Sequence, residues 1–226
     1  MSAAEAGAPV DPPRTVVHLV RHGEVENPTG VLYGRLPGFH LSPTGQRMAA
    51  VVAEALRDRD IRVVVSSPLE RAQETAAPLA EALGLPVRLD ERLTEAGNVF
   101  QGLRFEVGDG ALRRPAQWRH LGNPFRPSWG EPYVAVVARV LAALADARDA
   151  AAGHEAVCVS HQLPIWVTRL ALEHRRLWHD PRRRQCTLAS VTSVHYDGAE
   201  PVAVRYTEPA AALLPVRSGR RFVAGA

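Results

Sequence analysis

A short apolar run that gives way to an arginine or histidine recurs three times in this chain, and that handover constrains its fold more than any other feature. Thr15 to Val20 (TVVHLV) leads into Arg21-His22-Gly23-Glu24. Arg62 to Ser66 (RVVVS) leads into Ser67-Pro68-Leu69-Glu70-Arg71, and Glu155 to Ser160 (EAVCVS) into His161-Gln162. Runs of this length and composition read as buried strands, and the segments between them carry helical period, so the chain predicts an α/β domain. In open α/β sheets, ligands bind beyond the carboxyl ends of the strands, where helices present N–H groups. Two imidazoles and two guanidiniums at such ends imply an anion site.

The helices have recognisable beginnings. Ser42-Pro43 gives an N-cap serine and a proline at the first helical position, followed by Met48, Val51, Val52, Ala55 and Leu56 at helical spacing. Ser67-Pro68 repeats the signal ahead of a helix through about Leu83. Tyr133 to about Ala151 predicts a long amphipathic helix, and Leu163 to Leu172 a shorter one. Leu188 to Tyr196 and Val202 to Tyr206 read as strands joined by an Asp197-Gly198 hairpin turn. No Gly/Ser linker or charge block divides the 226 residues, which predicts a disordered N-terminus over 1–14 and a single domain over 15–226.

All 27 basic residues are arginine. The absence of lysine excludes Schiff-base chemistry, a lysine general base and a phosphate loop of the G-x-x-x-x-G-K-[ST] kind. Any anion must therefore be held by arginine, histidine or backbone N–H groups. No apolar stretch reaches the roughly 18 residues of a membrane span, and no secretory leader is evident, so the expected location is the cytoplasm, with no membrane partner. Cys158 and Cys186 cannot make a disulfide framework and read as buried, inert thiols. Nine histidines occur without H-x-H, H-E-x-x-H or C-x-x-C spacing, so neither a metal nor another cofactor is expected.

Phosphoryl transfer suits such a residue set. Charge spreads over the equatorial oxygens in the transition state, where bidentate arginines stabilise it. A neutral imidazole whose other nitrogen is held by a hydrogen bond can attack phosphorus, and the leaving alkoxide needs a proton from a carboxylic acid.

Five ordered motifs carry a resemblance to a known family. Leu19 to Glu24 resembles the R-H-G-E signature of the histidine phosphatase superfamily, which includes the cofactor-dependent phosphoglycerate mutases and many phosphatases. Leu41-Ser42-Pro43-Thr44-Gly45 resembles its L-[ST]-x-x-G, and Ser66 to Ala76 its S-S-P-L-x-R-[AT]-x-x-T-A. Leu93-Thr94-Glu95 with Gly102 resembles its L-x-E followed by Gly, and Val159-Ser160-His161 its V-S-H. The resemblance covers roughly Val16 to Tyr196. It implies a phosphoglycerate mutase-like, three-layer α/β/α sandwich with a mostly parallel central sheet, and a small phosphorylated substrate. It further implies that His22 is the phosphorylated nucleophile, that Arg21, Arg71 and His161 line the phosphate pocket, and that Glu95 donates the proton and later activates water.

The chain departs from the pattern in three places. The asparagine expected six residues after the nucleophile stands at five, as Asn27, with Pro28 at six. Gln162 replaces the glycine that usually follows the second histidine. Leu103 to Pro132, with Arg113, Arg114, Trp118, Arg119 and Trp129, does not read as the mutase's own insert and is a candidate lid or homodimer contact. A mutase must also hold a substrate carboxylate and exclude water, and no convincing residue set for that is evident. The expected activity is therefore metal-independent hydrolysis of a phosphate monoester, with Arg35 of Tyr33-Gly34-Arg35 as a candidate second anion contact and Glu131 as the next candidate acid. Mutase-type transfer is the alternative within the family, as is a catalytically silent member. An alternative of another class is a basic binding module at Glu173 to Arg184 (EHRRLWHDPRRR), although Glu173 and Asp180 offset its charge and nucleic acid is the disfavoured partner.

Overall fold

A computed structural model describes residues 14–99, 101–103 and 130–214. Its elements run β1 (Arg14–Arg21), α1 (Pro43–Leu56), β2 (Ile61–Ser66), α2 (Glu70–Leu83), β3 (Val87–Leu89), α3 (Tyr133–Ala150), β4 (Glu155–Ser160), α4 (Gln162–Leu172), β5 (Val191–Asp197) and β6 (Glu200–Thr207). The expected disorder of 1–14 falls on residues outside the described ones, except that Arg14 already belongs to β1 opposite Asp197. Most of the segment from 103 to 132, including its arginines and tryptophans, also lies outside the described residues.

The six strands form one sheet in the order β3-β2-β4-β1-β5-β6. The first four are parallel, and β5 runs antiparallel to both its neighbours. Helices cover both faces, as the three-layer expectation requires. Period-two alternation explains why. Val17, Leu19, Ala156 and Cys158 face α3 and α4 with Val136, Val140 and Ile165, whereas Val20, Val64, Val157 and Val159 face α1 and α2 with Met48, Val52, Ala72 and Leu79. Burying each such side chain stabilises the fold by about 1.5–3 kcal/mol, and a one-residue slip would reverse every face. The register is therefore fixed, and with it the side chains just past the strand ends.

Two expectations need correction. Ser42 caps α1, accepting from the Gly45 N–H at 3.0 Å, but Ser67 does not cap α2. That helix begins at Glu70 behind Leu69 without a side-chain cap. The strand expected from Leu188 begins at Val191, because Ala189 turns the chain with a positive φ. The three-residue β3 was not anticipated.

Candidate active site

The sheet places the two histidines side by side. β1 and β4 are adjacent and in register, Arg21 opposite Ser160, so His22 and His161 each stand one residue beyond a strand end. The His22 N–H donates to the Ser160 carbonyl at 3.1 Å, and the imidazole centroids are 5.1 Å apart. β2 flanks β4 on the other side. The Ser67 N–H donates to the Val159 carbonyl at 2.9 Å, which brings the Ser67 hydroxyl to 2.8 Å from His161 Nε2. Arg71 follows in the first turn of α2, fully buried, with its guanidinium 4.7 Å from the centre of the Tyr33 ring and one N–H donating to the Gly34 carbonyl.

Conserving this geometry requires two glycines to touch. A Cβ on Gly23 would lie 2.6 Å from the Gly45 carbonyl oxygen, and one on Gly45 would lie 2.0 Å from the Glu24 carbonyl oxygen. The loop after β1 and the start of α1 thus pack backbone to backbone. Thr75 and Ser42 hold the same loop: the Gly23 N–H donates to the Thr75 hydroxyl at 3.1 Å, and the Ser42 hydroxyl donates to the Glu24 carboxylate at 2.6 Å.

Electrostatics and hydrogen bonding make His22 a base with one unpartnered lone pair. Its Nδ1–H donates to the Gly23 carbonyl at 2.8 Å, which leaves Nε2 unprotonated and without a protein partner. Burial foremost, and then the Arg71 and Arg21 guanidiniums, hold its pKa well below the ordinary histidine value. His161 is lowered in the same way by burial, His22, Arg71 and Arg21. The Leu69 N–H reaches the Ser67 oxygen at 3.4 Å, so the serine proton is free to donate to His161 Nε2. That assignment puts the imidazole proton on Nδ1, a buried atom with no protein partner.

Arg21 is anchored by one N–H on the Cys186 carbonyl at 2.7 Å. The Glu95 carboxylate accepts from the Ala96 N–H through Oε1 at 2.7 Å and leaves Oε2 unpartnered. Arg21 Nε, His22 Nε2, Arg71 Nε and Nη1, Glu95 Oε2 and His161 Nδ1 are six of the eleven buried, unpartnered side-chain polar atoms among the described residues. Native proteins leave few such atoms, and a group with several oxygens would satisfy the four N–H donors of Arg21, Arg71 and His161 in this set.

The structure treats the other expected residues differently. Both ends of the Asn27 side chain close the 27–31 loop through Val31 and Thr29. Arg35 donates to the Glu95 carbonyl and pairs with Glu131 at 2.9 Å, and Arg139 pairs with the same carboxylate at 2.9 Å. Glu131 is therefore committed to two guanidiniums. Arg71 makes neither the Glu70 nor the Glu74 pair that its spacing suggests, because Glu70 accepts from the Gly38 N–H and Glu74 from the Leu41 N–H. In the basic run, Arg175 pairs with Glu173 and Arg182 with Asp180, which lowers its free positive charge. Tyr33, Ser67 and Arg184 were not recognised as site residues. Ser67 was hidden by its resemblance to a cap, and Arg184 by the arginines around it.

A comparison with known families matches residues 17–209 to the model of the histidine phosphatase superfamily, branch 1. The chain belongs to this superfamily. An uncharacterized Mycobacterium tuberculosis protein, Rv0525, is 62% identical over 200 residues, covering 88% of this chain and 99% of its own. Phosphoserine phosphatase 1 of Hydrogenobacter thermophilus is 29% identical over 187 residues, covering 79% and 85% of the two chains. Among solved structures, mycobacterial glucosyl-3-phosphoglycerate phosphatase Rv2419c superposes with a TM-score of 0.69 at 28% identity, covering 85% of this histidine phosphatase and 97% of its own chain. The resemblance seen in the motifs is thus a family relationship, and the fold is the family's. Among the described residues, no helix is long and apolar enough to cross a membrane.

Proposed function

We propose that this chain is a phosphatase that hydrolyses a small phosphate monoester without a metal, through a phosphohistidine on His22 Nε2. The observation that carries the reading is the state of that atom. Its ring partner is tied to the Gly23 carbonyl, and its own lone pair lies buried beside two guanidiniums and a second imidazole. Hydrolase relatives that match 79% and 85% of this chain support the same reaction class.

The steps follow from the atoms present. Nε2 attacks phosphorus as the P–O bond to the alcohol breaks, and the Arg21, Arg71 and His161 N–H groups stabilise the charge on the three equatorial oxygens. Glu95, as the acid, gives its proton to the leaving oxygen. As the resulting carboxylate, it then takes a proton from water, whose oxygen attacks the phosphohistidine. The P–N bond breaks, and His22 returns to its neutral form. Arg35 is assigned to holding the Glu95 segment through its carbonyl rather than to direct contact with the anion.

Two buried, unpaired thiols support a cytoplasmic site of action. Burial pushes the Cys158 thiol up to about 12, which keeps it inert.

The direct experiment uses p-nitrophenyl phosphate in the presence of chelator. Turnover is expected from the native protein and is expected to vanish in His22→Ala. A variant that turns over at the native rate would remove His22 as nucleophile, and efficient interconversion of phosphoglycerates would favour the mutase alternative instead.

A further inference from the structure

A cavity of about 90 Å³ meets the site at Glu95 and at Gly34, whose carbonyl accepts from Arg71, and is lined further by Glu131, Tyr133, Leu163 and Arg184, among others. Its position assigns it a role that rests on the phosphatase reading above. His22, His161, Arg21 and Arg71 do not line it, whereas Glu95 does. A proton donor must face the oxygen that leaves, so the alcohol portion of the ester extends from Glu95 into this cavity while the phosphoryl group stays among the imidazoles and guanidiniums.

The charge on its wall is then informative. The other acidic group among its described lining residues, Glu131, is paired with Arg35 and Arg139. Among the described residues, Arg184 has no such carboxylate partner. Its Nε–H donates to His179 Nε2 at 2.9 Å and one Nη1–H to the Gln162 side-chain oxygen at 3.1 Å. His179 is fixed as the acceptor because its Nδ1–H donates to the Leu177 carbonyl at 2.7 Å, and its ring stacks on Tyr133 with centroids 5.5 Å apart. Both acceptors are neutral. They aim the fork without pairing its charge, and among the described residues Glu95 is the carboxylate that acts on it, at longer range than a hydrogen bond. An arginine that is largely withdrawn from water, oriented by neutral groups and set in a leaving-group cavity is built to meet an anion, since an unpaired charge in such a place is costly. The glutamine that replaces the usual glycine after the second histidine supplies one of the two acceptors, which gives that departure a purpose.

We infer that Arg184 is a specificity-determining residue, positioned by Gln162 and His179, and that the preferred substrates are phosphate monoesters whose alcohol carries a carboxylate close to the ester oxygen. A carboxylate matches the planar fork in a bidentate pair, and a second phosphate shares the anionic chemistry but not that planar shape.

The test compares kcat/KM for 3-phosphoglycerate and glycerol 3-phosphate, which differ by carboxylate against hydroxymethyl, in the full-length protein. The ratio of the two is the readout, because any general loss of folding or catalysis cancels in it. The native ratio is expected to be roughly 10 to 100, the range a charge-assisted hydrogen bond gives. In Arg184→Met it should collapse towards one, and in Gln162→Ala it should fall partway. A native ratio near one, with p-nitrophenyl phosphate still turned over, overturns the inference and leaves the phosphatase reading standing. So does a ratio that Arg184→Met leaves unchanged. A preference for 1,3-propanediol bisphosphate over 3-phosphoglycerate that Arg184→Met abolishes would assign the residue to a second phosphate and overturn the carboxylate. Failure to turn over any of these esters overturns the phosphatase reading, and the inference with it.

Discussion

Two fully buried neutral imidazoles make the fold acid-sensitive in a way that can be calculated. Burial, reinforced by Arg71 and Arg21, lowers the pKa of both His22 and His161 in the folded chain, whereas in the unfolded chain each titrates near 6.5. Below that value the unfolded chain binds more protons than the folded one, so stability rises with pH in this window and is lost as pH falls. The loss levels off only when the folded imidazoles themselves protonate. An imidazole that stays neutral in the folded state costs about 1.2 kcal/mol between pH 6 and pH 5, and the pair about 2.4 kcal/mol. With a urea m value of roughly 2–3 kcal/mol/M, the pair alone should lower the midpoint by about 1 M across that unit. His40 works in the opposite direction, because its hydrogen bond and charge interaction with Glu74 raise its pKa, whereas His179 and His195, lowered chiefly by burial, add to the drop; all three are present in every variant and cancel. Urea denaturation of the native protein, His22→Asn and His161→Asn at the two pH values separates the contributions. Each substitution should remove about 1.2 kcal/mol of the acid-dependent drop. A drop that neither variant reduces would refute the claim that these imidazoles are held neutral, and with it the argument for a free Nε2 lone pair.

Replacing Glu95 by glutamine keeps the Ala96 N–H contact and removes the transferable proton. The kcat on an ester with a poor alkoxide leaving group should fall by roughly 100-fold to 10,000-fold, measured by phosphate release. An unchanged rate would move the acid elsewhere. Gly45→Ala places a methyl 2.0 Å from the Glu24 carbonyl oxygen, a backbone atom that cannot swing aside. A loss of about 1–3 kcal/mol is expected by urea denaturation, together with reduced turnover as the His22 loop shifts; an unperturbed variant would show that this close approach is dispensable.

The order of elements was legible because it is written in local periodicity. Val17, Leu19 and Val20 sit in a run too short for a helix and too apolar for a loop, and Ser42-Pro43 states where α1 begins. The five residues of the imidazole cluster were legible for a related reason: each stands at a strand end or a motif position, and the parallel register then brings them together. Pairings that depend on distant chain segments were not legible. Arg35 meets Glu131 across 96 positions, and nothing near either residue announces the pair. Ser67 shows the limit of local signals. Its sequence matches a helix cap, but the hydroxyl has a stronger claimant in His161, which arrives from 94 residues away. The three-residue β3, next to Pro86 at the sheet edge, is too short to express a period.

The strand order also bears on how this protein comes to exist. β4 lies between β1 and β2, so the N-terminal half of the chain, although it contains three parallel strands and two helices, cannot pair β1 with β2 in the native sheet. Those facing edges wait for residues 155–160 to be synthesised and inserted between them, a closure between segments far apart in the chain and correspondingly slow. The same insertion brings His161 to His22. A chain that has not yet placed residues 155–160 therefore carries unmatched strand edges and has no catalytic centre at all. Activity therefore depends on one insertion, that of β4 between β1 and β2, rather than on either half of the chain alone.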